Sequence, residues 1–115
     1  MIKIQSMSDI ITNSSSEVFI VSTDNHKKVI DLINDICDVC GWKADDLMYF
    51  ESAYRDGSVE GWADINYKKG DLLIYSAGDN AIPYCLMEMI EDLPYLNAPA
   101  LNGAEVTNVK RRHLG

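Results

Sequence analysis

The sequence lacks any long apolar run: no stretch of its 115 residues approaches the roughly 20 apolar residues that a membrane-spanning helix requires. Its first residues carry one lysine and no extended apolar segment, which is unlike a secretory signal. With 47% apolar and 24% charged residues, the composition is that of a folded globular domain. We therefore expect one cytoplasmic domain whose three cysteines stay reduced.

Residues that bind metals or run redox chemistry are also few. The chain has three cysteines and two histidines, and its one C-x-x-C, Cys37 to Cys40, has no second copy. Both cysteines lie in an apolar stripe at the end of a predicted helix, where the helix dipole opposes a thiolate. We expect both thiols to pack in the core, and we predict no cofactor and no metal.

Motifs for nucleophilic catalysis and phosphate cradling are missing as well. The sequence contains no G-x-S-x-G and no glycine-rich P-loop. For one of the serines at 14–16 to act as a nucleophile, His26 or His113 would have to lie beside it as a base, and no local sequence motif joins these residues. This lack of a catalytic set favours a protein that is not an enzyme.

Basic residues are outnumbered, with 10 lysines and arginines against 18 acids and a net charge of −8. Such a charge repels nucleic acid. The bases gather in a predicted tail at 110–113, which could touch a phosphate or pair with acids of its own surface. The outward faces of the two predicted helices carry acids, which we take as candidate partner-binding residues: Asp31, Asp35, Asp38, Glu88, Glu91 and Asp92.

A run of small polar residues is set between strongly apolar neighbours near the start of the chain. Hydroxyl and amide side chains with free backbone N–H groups can converge on an anion in such a loop, although a plain connector is equally consistent. The candidate ligand-binding residues are Thr12, Asn13, Ser14, Ser15, Ser16 and Glu17.

Hydrophobic periodicity predicts an α+β domain. The elements are strand 17–22, helix 26–40, strand 58–67, strand 71–76, a helix ending near Leu93 and strand 104–110, while residues 43–56 fit either a helix or a strand. This order predicts a ferredoxin-like split β-α-β sandwich, an antiparallel sheet with two helices on one face. Residues 1–16 form an N-terminal extension that includes a short strand at 2–5, residues 17–110 the core and 111–115 a basic tail.

Residues 8–19, SDIITNSSSEVF, resemble the opening of a group of small proteins from bacteriophages, prophages and gut bacteria. Those proteins also tend to close with a segment like RHLG at 112–115. The resemblance covers about a tenth of the chain at the front and a few residues at the end. It implies a phage or mobile-element setting and a host-directed binding role, and it implies no chemistry.

Three functions follow as hypotheses. The first is a non-enzymatic binding protein that contacts a basic host protein, with self-association left open and with no direct contact to nucleic acid or membrane. The acidic helical faces would then imitate phosphate charge at a host protein's nucleic-acid site. The second is a virion or assembly component. The third is a binder or hydrolase of a small phosphate-bearing molecule that uses the loop at 12–17.

Overall fold

The computed structural model describes residues 16–59, 61–78, 81–96 and 103–114. The predicted strand at 2–5 and most of the polar loop lie outside these ranges. The elements in chain order are β1 (Ser16–Thr23), α1 (His26–Val39), α2 (Ala44–Leu47), β2 (Met48–Ser52), β3 (Gly57–Val59), β4 (Trp62–Tyr67), β5 (Leu72–Ser76), α3 (Tyr84–Glu91), a 3-10 turn (Leu93–Tyr95) and β6 (Val106–Leu114).

The main sheet has four strands in the order β2-β5-β1-β6, and every neighbouring pair is antiparallel. Strands β3 and β4 form a separate two-stranded sheet. The prediction of an α+β protein with an antiparallel sheet is therefore confirmed. Among the described residues, no helix combines the length and the apolar character needed to cross a bilayer.

Both faces of the main sheet are covered, by different layers. Phe19 and Val21 of β1 face the helices and join a core that includes Ile33 of α1 and Ile90 of α3. The residues between them face the other way, because side chains alternate along a strand. Val18 and Ile20 join a second core with Val59 and Ile65 of the small hairpin. The continuous apolar run 18–21 thus belongs to a strand buried on both faces.

Helix α1 begins at the predicted residue, His26, and ends at Val39, one residue before the predicted end. The side chain of Asn25, the N-cap residue, accepts a hydrogen bond from the backbone N–H of Lys28, which satisfies one free donor of the first turn. Gly41 follows the C-cap residue Cys40 with φ of +79°, a left-handed conformation that glycine adopts without strain.

Residues 43–67 differ most from the prediction. The ambiguous segment contains both a helix and a strand, α2 followed by β2, and β2 occupies an edge of the main sheet. The predicted strand 58–67 is instead the hairpin β3-β4, which lies outside that sheet. Gly61, with φ of +83°, belongs to the turn between Val59 and Trp62.

The predicted basic tail is also part of the sheet. Strand β6 runs to Leu114 and pairs with β1 over its whole length, so that His113 lies opposite Glu17 and Arg111 lies opposite Phe19. The prediction that this strand ends at Lys110 is wrong. Hydrogen bonding to β1 extends the strand through residues whose composition alone suggests a solvated tail.

Candidate functional site

Of the predicted polar-loop residues, Ser16 and Glu17 lie within the described ranges, and residues 12–15 lie outside them. Both described residues belong to β1 and are buried. The backbone N–H of Glu17 donates to Ser76 Oγ at 2.8 Å across the sheet. Neither side chain is presented on a surface loop, since pairing with β6 already holds the backbone here.

The carboxylate of Glu17 is occupied by two basic side chains of β6. Arg111 Nε lies 3.3 Å from Glu17 Oε2, and Arg111 Nη2 lies 3.4 Å from Oε1. His113 Nδ1 lies 2.9 Å from the same Oε1. These internal partners stabilise a carboxylate that is almost fully removed from water, and they leave it little capacity to bind an external group.

Arg111 also reaches the helical layer. Its Nη1 donates to Glu91 Oε1 at 2.6 Å, and its guanidinium carbon lies 5.9 Å from the centre of the Tyr84 ring. The hydrogen bonds to Glu91 and then to Glu17 raise the pKa of Arg111 above its ordinary value. One guanidinium thus joins a predicted ligand-binding residue, Glu17, to a predicted partner-binding residue, Glu91.

Arg112 makes a similar internal pair on the opposite face of the strand. Its Nη2 lies 2.8 Å from Asp64 Oδ2 of β4, and this hydrogen bond lowers the pKa of Asp64. The basic residues of β6 at 111–113 therefore pair with acids of the same chain, of which Glu17 is buried. Of the two roles that the sequence left open for this basic segment, internal pairing is the one present in the structure.

The acids of α1 form an exposed row. Asp31, Asp35 and Asp38 are all exposed, and Asp31 pairs with Lys27 one turn earlier, with 2.8 Å between Nζ and Oδ2. Within the part of the chain that the structure describes, the side chains of Asp35 and Asp38 have no hydrogen-bond or ion-pair partner. Asp38 also lies in the last turn of the helix, which holds no basic residue.

The second acidic set, on α3, has a comparable arrangement. Glu88 and Asp92 are exposed, whereas Glu91 is partly buried against Arg111. Asp92 is the C-cap residue, and the last turn of α3 again holds no basic residue. Two exposed tyrosines, Tyr84 and Tyr95, stand at the two ends of this segment.

A third cluster joins the start of α1 to the end of β2. His26 Nδ1 lies 2.6 Å from Ser52 Oγ, and His26 Nε2 lies 2.5 Å from the carbonyl oxygen of Gly70. A cleft of about 400 Å³ shares Gly70 with this cluster, but neither His26 nor Ser52 is among the residues that line it. The sequence named His26 as a candidate base but offered no sign of Ser52, because the two residues are 26 positions apart and meet only through the fold.

The two cysteines of the C-x-x-C have different environments. Cys37 is fully buried, as predicted, and burial raises the pKa of its thiol. The same prediction is wrong for Cys40, which is exposed because it caps the helix beyond the last turn. Across the described residues, no group of three or more His, Cys, Asp or Glu side chains is arranged to hold a metal ion.

Comparisons with protein-family models, with curated proteins and with solved structures find no match for this chain.

Proposed function

We propose that this protein binds a basic partner protein through the acidic surface of its two main helices. The observation that carries the proposal is the placement of acids at the carbonyl ends of α1 and α3. Asp38 and Asp92 lie where the helix dipole is negative, and neither last turn contains a base. A negative charge there lowers helix stability by several tenths of a kcal/mol or more.

Charges that reduce stability are typical of functional surfaces, where folding is not the only requirement on a residue. The internal pairs described above add to the argument. Because Arg111 pairs with Glu17 of the sheet and Glu91 of α3, and Arg112 pairs with Asp64 of the hairpin, they do not neutralise Asp35 or Asp38. The exposed Tyr84 and Tyr95 add the amphipathic side chains that protein interfaces favour.

The chemistry of the partner follows from the charge. A protein surface with net negative charge attracts a positively charged protein surface. Within a cell, the strongly basic protein surfaces are largely those that bind nucleic acid. We propose that the acidic faces occupy such a site on a host protein. The resemblance of residues 8–19 to phage and mobile-element proteins supports a bacterial cytoplasmic setting for this contact.

The proposed architecture is the ferredoxin-like split β-α-β sandwich, with the hairpin β3-β4 as an insertion between its second and third strands. The order β2-β5-β1-β6 with antiparallel neighbours supports this assignment. So does the packing of α1 and α3 in one core against one face of the sheet. In this arrangement the helical layer remains open to a partner on its outer side.

The test is affinity capture from a bacterial lysate with a variant that carries Asp31→Asn, Asp35→Asn and Asp38→Asn. A matched control removes three acids from the hairpin side of the molecule, by Glu51→Gln, Asp56→Asn and Asp64→Asn. We expect the wild-type protein and the control to capture the same nucleic-acid-binding proteins, and we expect added duplex DNA to displace them.

The helix variant should capture none of these proteins. Capture by the helix variant equal to that by the wild type, or equal loss in both variants, would refute the proposal. A stability measurement accompanies the test, because the removal of Asp38 is expected to stabilise the fold. A loss of binding in a variant at least as stable as the wild type cannot result from unfolding.

A further inference from the structure

The contact between His26 and Ser52 has a defined direction. Nε2 of His26 faces the carbonyl oxygen of Gly70, which can only accept a hydrogen bond, so Nε2 carries the ring proton. In the neutral ring, the lone pair is then on Nδ1, which faces Ser52 Oγ at 2.6 Å. Ser52 therefore donates its hydroxyl proton toward an imidazole nitrogen that is free to accept it.

This arrangement contains the three parts of an activated nucleophile: a hydroxyl group, a base within hydrogen-bond reach, and a third group that orients the base. The hydroxyl is accessible, since Ser52 is exposed, while His26 is half-buried. Backbone hydrogen bonds hold the orienting group in place. Gly70 N donates to the carbonyl of Ala53 at 2.8 Å, and Ala53 N donates to the carbonyl of Asp71 at 2.9 Å.

We propose that Ser52 is a nucleophile, that His26 is its general base, and that the substrates are carboxylic esters. The substrate class follows from the pair itself, because an exposed hydroxyl with a base within hydrogen-bond reach is the arrangement that attacks an acyl carbon. An ester supplies that carbon together with an alcohol that can depart. The proposal adds an activity to the binding function and does not depend on it.

The reaction proceeds in two balanced steps. Ser52 Oγ bonds to the ester carbonyl carbon while its proton passes to Nδ1 of His26. The carbon–oxygen bond to the alcohol then breaks, and the departing oxygen takes that proton from His26. In the second step, water attacks the acyl-Ser52 ester and gives a proton to His26. Release of the carboxylic acid, with return of a proton to Ser52 Oγ, restores the starting state.

The test uses 4-nitrophenyl acetate with the whole chain, measuring nitrophenolate release and locating the acetyl group by mass spectrometry of peptides. We expect acetyl on Ser52, and we expect a rate at least about a hundredfold lower in both Ser52→Ala and His26→Gln, the lower end of the effect that general-base catalysis supplies. The control is Ser58→Ala, an exposed serine of β3, which should match the wild type.

Thermal unfolding of each variant shows whether it is folded. Ser52→Ala removes one exposed hydrogen bond and is expected to fold, so it decides the outcome even if His26→Gln does not fold. Acetyl found on His26 or on lysines but not on Ser52, or an unchanged rate in Ser52→Ala, would overturn the proposal. The helix variant with three Asp→Asn substitutions should keep the full rate, which separates this activity from the binding function.

Discussion

Glu17 and Arg111 are 94 positions apart in the chain and are joined by two contacts, at 3.3 and 3.4 Å, between neighbouring strands of the sheet. The Glu17 side chain is 9% exposed and that of Arg111 is 24% exposed, so both ends of the pair are largely removed from water. The same guanidinium reaches Glu91 at the end of α3. This pair therefore connects the first strand, the last strand and the helical layer.

Replacement of Glu17 by glutamine should destabilise the protein by about 2 kcal/mol, because it leaves the mostly buried Arg111 without one of its two carboxylates. Urea unfolding of both proteins measures the difference. The matched control is Glu91→Gln, which removes the other carboxylate of the pair. Because Glu91 is 40% exposed, its loss should cost about 1 kcal/mol or less. Equal effects of the two substitutions would contradict this account.

Asp38, in the last turn of α1, should reduce the stability of the folded protein. Asp38→Asn is expected to raise the free energy of unfolding by roughly 0.3–1 kcal/mol, because it removes a negative charge from the negative end of the helix dipole. Asp31→Asn, in the same helix, should lower the free energy of unfolding slightly, because Asp31 pairs with Lys27. Thermal unfolding at low salt checks both signs. Destabilisation by Asp38→Asn would remove the main support for a functional acidic surface.

Replacement of Tyr75 by phenylalanine should not reduce the stability of the protein. Its hydroxyl is buried beneath the hairpin, and it has no hydrogen-bond partner among the described residues. A buried polar group without a partner costs about 1–3 kcal/mol relative to its solvated state. We expect Tyr75→Phe to be as stable as the wild type at neutral pH, or more stable by up to about 1 kcal/mol. A loss of more than about 1 kcal/mol would show that the hydroxyl has a partner after all.

The same residue predicts a loss of stability in alkali. Burial, followed by the nearby Glu51, raises the pKa of Tyr75 above its ordinary value of about 10. The folded state therefore keeps this proton to a higher pH than the unfolded chain does. Its contribution to stability is complete below about pH 10 and declines as the pH rises further.

The measurement for this prediction is urea unfolding of the wild type and of Tyr75→Phe at pH 7, 9 and 11. The advantage of Tyr75→Phe should widen above pH 10, with a limiting slope of about 1.4 kcal/mol per pH unit for one proton. A constant difference between the two proteins across this range would show that the Tyr75 hydroxyl ionises equally in the folded and unfolded states.

Local signals were sufficient for the parts of the fold that local chemistry determines. The spacing of Val29, Ile33 and Cys37 predicts α1, whose two ends are marked by the N-cap residue Asn25 and by Gly41. The apolar runs predict β1 and β5. These elements depend on periodicity and capping, which act over a few residues.

The features that the sequence did not predict depend on pairing between strands that are distant in the chain. Residues 48–52 became a strand because β5 pairs with them, and residues 110–113 stayed in β6 because β1 does. The site was affected in the same way. The sequence marks Glu17 as a candidate ligand-binding residue at the start of the predicted strand 17–22, and only the sheet register brings His113 and Arg111 beside it.

The most direct test of the acidic-surface proposal is quantitative capture of basic host proteins by the wild type, by the Asp31, Asp35 and Asp38 variant, and by the control variant with three hairpin-side substitutions. Each variant loses three negative charges, so a difference in net charge cannot explain a difference in capture between them. We predict that the control captures as the wild type does, and that the helix variant is folded, close to the wild type in stability and unable to bind. Undiminished capture by the helix variant would contradict the account.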